Sequence, residues 1–127
     1  MTSRAKYRST SNNTMNANKN ICGLAVATAL GVAYNTRYLH TMGDIVRATR
    51  TRFTVRSRLS KLNKNKSVGN ARSKMAEIAT ENTIGFLIGI KGHVLLADAN
   101  GQTVTDTAPR KRDRRAVTEL FIIEKKV

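Results

Sequence analysis

Cys22, His93 and Asp106 are the residue types that together perform nucleophilic acyl chemistry. A thiol attacks a carbonyl as its thiolate. A neighbouring imidazole takes its proton, and a carboxylate on the other ring nitrogen fixes the tautomer and steadies the imidazolium. Cys22 follows Asn20-Ile21, where Asn20 reads as a helix N-cap and Gly31 as the stop of a helix over 21–30. In a first turn, unpaired N–H groups favour a thiolate and lower the thiol pKa. A lone cysteine among Ala, Val and Leu is also how a small buried apolar side chain looks. The residues alone leave both readings open.

His93 opens a strand over 93–98. Asn100-Gly101 marks a tight hairpin to a second strand over 102–107. With a two-residue turn, Ala99 pairs with Gln102, 95 faces 106 and 93 faces 108. His93, Leu95 and Asp106 then share a face, with His93 and Asp106 diagonal and within reach of an aromatic ring. Asp98 points to the other face. A solvent-exposed His and Asp on the same hairpin is the competing reading.

The elements that must position these groups read as helices first and strands second. After helix 21–30, a second helix runs from about 35 or 36 to 42, ended by Gly43. A third over 54–62 carries Val55, Leu59 and Leu62 at helical spacing. A loop over 63–72 leads to a fourth over 73–80, capped by Ser73. Apolar or β-branched strands follow over 84–90 and 117–124. Gly85 and Gly89 mark close packing within the first of these, and no G-x-x-x-x-G-K phosphate loop exists. Segregated helices and strands in 127 residues indicate one α+β domain over 20–127. Residues 1–19, polar and basic, read as a flexible arm.

The stretch N-I-C-G-L-A-V-A-T-A-L-G-V-A-Y from Asn20, with the basic segment that follows it to Leu62, resembles small bacteriophage-encoded proteins of the papain-like cysteine-peptidase fold. So does Gly92-His93-Val94-Leu95-Leu96-Ala97 through Val104-Thr105-Asp106-Thr107. The resemblance spans roughly two-thirds of the chain, in the order Cys, His, Asp. It implies N-terminal helices packed on a C-terminal antiparallel sheet, with Cys22 as nucleophile, His93 as base and Asp106 as orienting group. It also implies that Asn16, six residues before the cysteine, stands where the family usually carries an oxyanion-hole Gln. A virion or host-cytoplasm location follows from the same resemblance. His40 reads as structural or exposed.

Charge points elsewhere. The net charge is +15, and ten Lys/Arg with no acid lie between Ile45 and Met75. The first twenty residues add four more, and 110–115 forms a third cluster. Arg47, Arg50, Arg52, Arg56, Arg58, Lys61, Lys64, Lys66, Arg110, Lys111 and Arg112 are the candidate contacts to nucleic acid or an acidic protein surface. Aromatic content of 5% argues against base stacking. One cysteine excludes an intrachain disulfide, and no Cys/His cluster has zinc spacing. Neither metal nor cofactor is expected. The apolar run over 21–33 is too short for a bilayer span, so no membrane partner is expected. Two functions follow. The charge favours a basic binding protein of papain-like fold, associated with a virion or acting on a host component. The alternative is a cysteine peptidase or related acyl-transfer hydrolase.

Overall fold

The computed structural model describes residues 13–33, 41–62 and 66–126, with backbone alone for 13–20. It is an α+β arrangement of α1 (Asn13–Leu30), α2 (Met42–Thr49), β1 (Phe53–Ser57), a 3-10 turn (Leu59–Lys61), α3 (Val68–Ile78), β2 (Thr83–Ile90), β3 (His93–Asp98), β4 (Thr103–Thr105) and β5 (Glu119–Lys125). The strands form one antiparallel sheet in the order β1-β5-β2-β3-β4.

Helix α1 ends as its sequence dictates. Gly31 adopts φ 68°, its N–H donates to the Thr28 carbonyl, and the Val32 N–H donates to that of Ala27 at 3.0 Å. This pair of bonds satisfies carbonyls the last turn leaves open. Cys22, Val26, Ala27 and Leu30 are buried, so one helical stripe faces the core. The start differs from expectation. The helix begins at Asn13, so Asn20 is no N-cap and Cys22 lies in mid-helix, with its N–H inside the helical ladder. The added turns run through Asn-rich sequence of weak helix propensity with no apolar periodicity, so nothing local in it announces a helix. The expected arm over 1–19 is therefore helical from Asn13; residues 1–12 lie outside the described residues.

The next elements are re-assigned. Gly43 does not end a helix; it sits in the first turn of α2, which Thr41 caps by accepting from the Asp44 N–H at 3.2 Å. Residues 34–40, with His40, lie outside the described residues. The expected helix over 54–62 is instead strand β1 and a 3-10 turn. Val55 is the one fully buried position of β1, alternating with exposed Thr54 and Arg56, and pairing with β5 from Phe53↔Lys125 to Ser57↔Phe121 satisfies the backbone. The helical spacing of Val55, Leu59 and Leu62 was coincidental, and Leu59 stays exposed. Helix α3 starts earlier than expected, capped by Ser67, whose hydroxyl accepts from the Asn70 N–H at 3.1 Å. Its buried face is Val68, Ala71 and Met75.

The sheet is covered on both faces, which explains the unbroken apolar run of β2. Leu87, Val94, Leu96, Val55 and Ile123 pack with Cys22, Val26, Ile45 and Val46 of α1 and α2. Phe86, Ile88, Leu95, Ala97, Leu120 and Ile122 pack with Val68, Ala71 and Met75 of α3. Gly85 answers the expected need for close approach, since a Cβ there would lie 2.3 Å from the Ala97 carbonyl oxygen.

Candidate active site

Two turns bring the imidazole and the carboxylate together. Gly92, at φ 70°, closes the β2–β3 turn and sets His93 as the first residue of β3. At the other end of β3 the loop is one residue longer than expected. The Gly101 N–H donates to the Asp98 carbonyl and the Asp98 N–H to the Gln102 carbonyl, with Gly101 at φ 79°. This alone would shift the register by one. An irregularity between the pairs Ala97↔Thr103 and Leu96↔Thr105 restores it. Asp106 therefore arrives beside His93, and His93 Nε2 lies 2.6 Å from Asp106 Oδ1. The expected common face with Leu95 does not hold. Leu95 packs in the α3-side core, whereas His93 engages Cys22 of α1. Asp98 caps the turn, its Oδ1 accepting from the N–H groups of Asn100 and Gln102.

Helix α1 supplies the thiol. Cys22 is 3% exposed and lines a cleft of about 190 Å³ with His93, Thr41, Met42, Ile45, Gly89, Gly92 and Glu119. A Cβ at Gly89 would meet the Met42 methyl carbon at 2.9 Å and Glu119 Cβ at 3.1 Å, so the glycine leaves room at this point. The hydrogen bond with Cys22 is the largest influence on His93 and raises its pKa above the ordinary histidine value; burial opposes it, and Asp106 adds to the rise. Because Asp106 takes Nε2, Nδ1 is the ring nitrogen left for the sulfur. The mid-helix position of Cys22 removes the expected help from a helix N-terminus.

The support of the carboxylate has no local signal in the sequence. Burial pushes the Asp106 pKa up, but His93, the Ala108 N–H and Arg115 together outweigh it and hold the pKa below the usual aspartate value. Arg115 Nη2 donates to Asp106 Oδ2 at 2.8 Å, and Arg115 Nε to Asp113 Oδ1 at 2.8 Å. Asp113 foremost, then Asp106, keeps this guanidinium firmly charged. Both aspartate side chains are 4% exposed. The result is a hydrogen-bonded chain Asp113–Arg115–Asp106–His93–Cys22. Arg115 was visible only as one cation in a basic cluster; its role needs the fold of 106–115. Asn16 lies in the backbone of α1, and its side chain is outside the described residues.

The remaining predicted contacts divide. Arg47 pairs with Asp44, Arg50 Nη2 donates to the Val55 carbonyl, Arg52 Nη1 to the Gly31 carbonyl, and Arg56 pairs with Glu124. The Arg58 N–H donates to the Leu120 carbonyl within β5, the Lys66 carbonyl accepts from the Val117 N–H just before it, and Lys61 ends the 3-10 turn. These residues are not gathered into one cleft. Lys64 lies outside the described residues. Arg110, Lys111 and Arg112 line a second cleft with Arg72 and Arg114. Among the described residues there is no group of His, Cys, Asp and Glu fit to hold a metal ion, and no helix long and apolar enough to cross a membrane. No protein-family model matches the chain, and no curated protein or solved structure matches it either.

Proposed function

We propose that the chain is a cysteine-dependent acyl-transfer hydrolase of papain-like architecture, with Cys22 as nucleophile, His93 as acid–base and Asp106 as the group that orients the imidazole. The contact of the only thiol with an imidazole whose Nε2 is held by a buried carboxylate carries this reading. In the sequence charge is the stronger signal, because the thiol and imidazole lie some seventy residues apart in the chain. The order of parts also supports papain-like architecture: a cysteine helix, then a histidine strand, then an aspartate after the next strand.

In the first step His93 Nδ1 takes the thiol proton while sulfur bonds to the substrate carbonyl carbon. The resulting imidazolium donates that proton to the leaving amine or alkoxide as its bond to carbon breaks, leaving a thioester on Cys22. Water then attacks the thioester. His93 takes the water proton and returns a proton to sulfur, and a carboxylic acid leaves. Asp106 stabilises each imidazolium. Arg115 and Asp113 do not touch the reacting atoms; they hold Asp106 in place.

p-Nitrophenyl acetate, an activated ester, tests this reading. The expected result is a rapid burst of nitrophenolate with acetyl carried on Cys22, absent in Cys22→Ala. Acetyl spread over lysines with no preference for Cys22 would overturn it.

A further inference from the structure

The second cleft lies away from the thiol, and none of its lining residues belongs to the first. Arg72, Arg110, Lys111, Arg112 and Arg114 line it, together with Ser67, Gly69, Asn70 and Asp113. Its volume is about 390 Å³. The backbone of its wall is fixed on α3. The Gly69 N–H donates to the Asp113 carbonyl, the Val68 N–H to the Arg115 carbonyl, and Ser67 bridges Ala116. The first N–H groups of α3 are thus already used, and any attraction for an anion comes from side chains. Asp113, the one acid in the wall, is occupied by Arg115. Arg110, Lys111, Arg112 and Arg114 are exposed, and no carboxylate among the described residues pairs with them.

We propose that this cleft is a binding site for the phosphate backbone of duplex nucleic acid, separate from the acyl-transfer site. Self-repulsion among four clustered cations is relieved when an external polyanion enters. Arginine predominates over lysine in the lining, and its planar fork matches phosphate oxygens. The lining offers no apolar side chain to seat those of an acidic peptide and no aromatic ring on which to stack an unpaired base. Recognition therefore reads the backbone and not the sequence.

Binding of a fluorescent 20-base-pair duplex to the full chain, followed as salt is raised, tests the site. In Arg110→Gln/Arg112→Gln/Arg114→Gln the slope of log K against log salt should fall by about 0.9 for each phosphate no longer neutralised, and affinity by on the order of 100-fold at 0.15 M salt. The control Lys91→Gln/Lys125→Gln/Lys126→Gln removes the same charge elsewhere, at exposed residues outside the cleft, and should show less than a tenth of that affinity change. Equal effects in the two triples would overturn the site, because the attraction would then belong to net charge. Binding of polyglutamate as tight as that of the duplex would also overturn it. Unchanged thermal melting of both triples shows that the comparison is made on folded protein.

Discussion

On the α3 side of the sheet, Phe86, Ile88, Leu95, Leu120 and Ile122 meet Val68, Ala71 and Met75, all 0–1% exposed. On the α1 side the core includes a thiol, the hydroxyl of Thr49 bonded to the Ile45 carbonyl, and a cleft that reaches the imidazole. The first arrangement is a closed, wholly apolar core. The second gives up some of that packing to bring polar groups together under partial burial. One strand serves both: β3 sends Leu95 and Ala97 into the apolar core, and its first residue, His93, to the thiol. The apolar side holds the strand; the thiol and imidazole sit on the other side.

Substitutions on the two sides should therefore fail in different ways. His93→Ala should lower the acylation rate of Cys22 by about 10²–10⁴-fold, the usual share of a general acid–base group, with little change in the denaturation midpoint. Met75→Ala should do the reverse. It removes a fully buried side chain from the apolar core and should cost about 2–5 kcal/mol in denaturant unfolding, with the acylation rate per folded molecule unchanged. A large rate loss in Met75→Ala would erase the contrast.

Arg115→Met tests the junction between the sides, since this residue links Asp106 to the segment pinned on α3. Its removal leaves two nearly buried carboxylates without their shared cation, and stability should fall by about 1–3 kcal/mol. Removing a positive charge near the imidazole should also move the acidic limb of the acylation pH profile upward, because His93, which must be unprotonated to take the thiol proton, then holds its own proton more tightly. A purely structural arginine would leave that limb in place.

The smallest effect is on stability against pH. Asp106 is held below its ordinary value of 3.8, so its contribution is full above that pH and lost as pH falls through the folded-state value. His93 is raised above 6.5, so its contribution is full below 6.5 and lost as pH rises through the folded-state value. Asp106→Asn should flatten the acid side of the denaturation-midpoint curve, and His93→Gln the alkaline side.

Strands β2 to β5 were legible in the sequence because their signals are local. Gly92, Asn100-Gly101 and the apolar run of β2 placed β2 and β3 almost to the residue. The pairing of His93 with Asp106 was reached through a turn of the wrong length, which the register irregularity in β4 offsets. Helical spacing misled at Val55, Leu59 and Leu62, where pairing with a strand some seventy residues away decides the structure. The start of α1 was hidden by a polar sequence without periodicity. Arg115 and Asp113 could not be separated from their basic neighbours, because their meaning depends on which carboxylate the fold brings within 3 Å.

The reaction of Cys22 with iodoacetamide at pH 7, compared with N-acetylcysteine and with His93→Ala, tests the thiol–imidazole pair most directly. The account predicts that Cys22 reacts faster than the reference thiol and that His93→Ala abolishes the advantage. A rate no greater than that of N-acetylcysteine, and indifferent to His93, would contradict it.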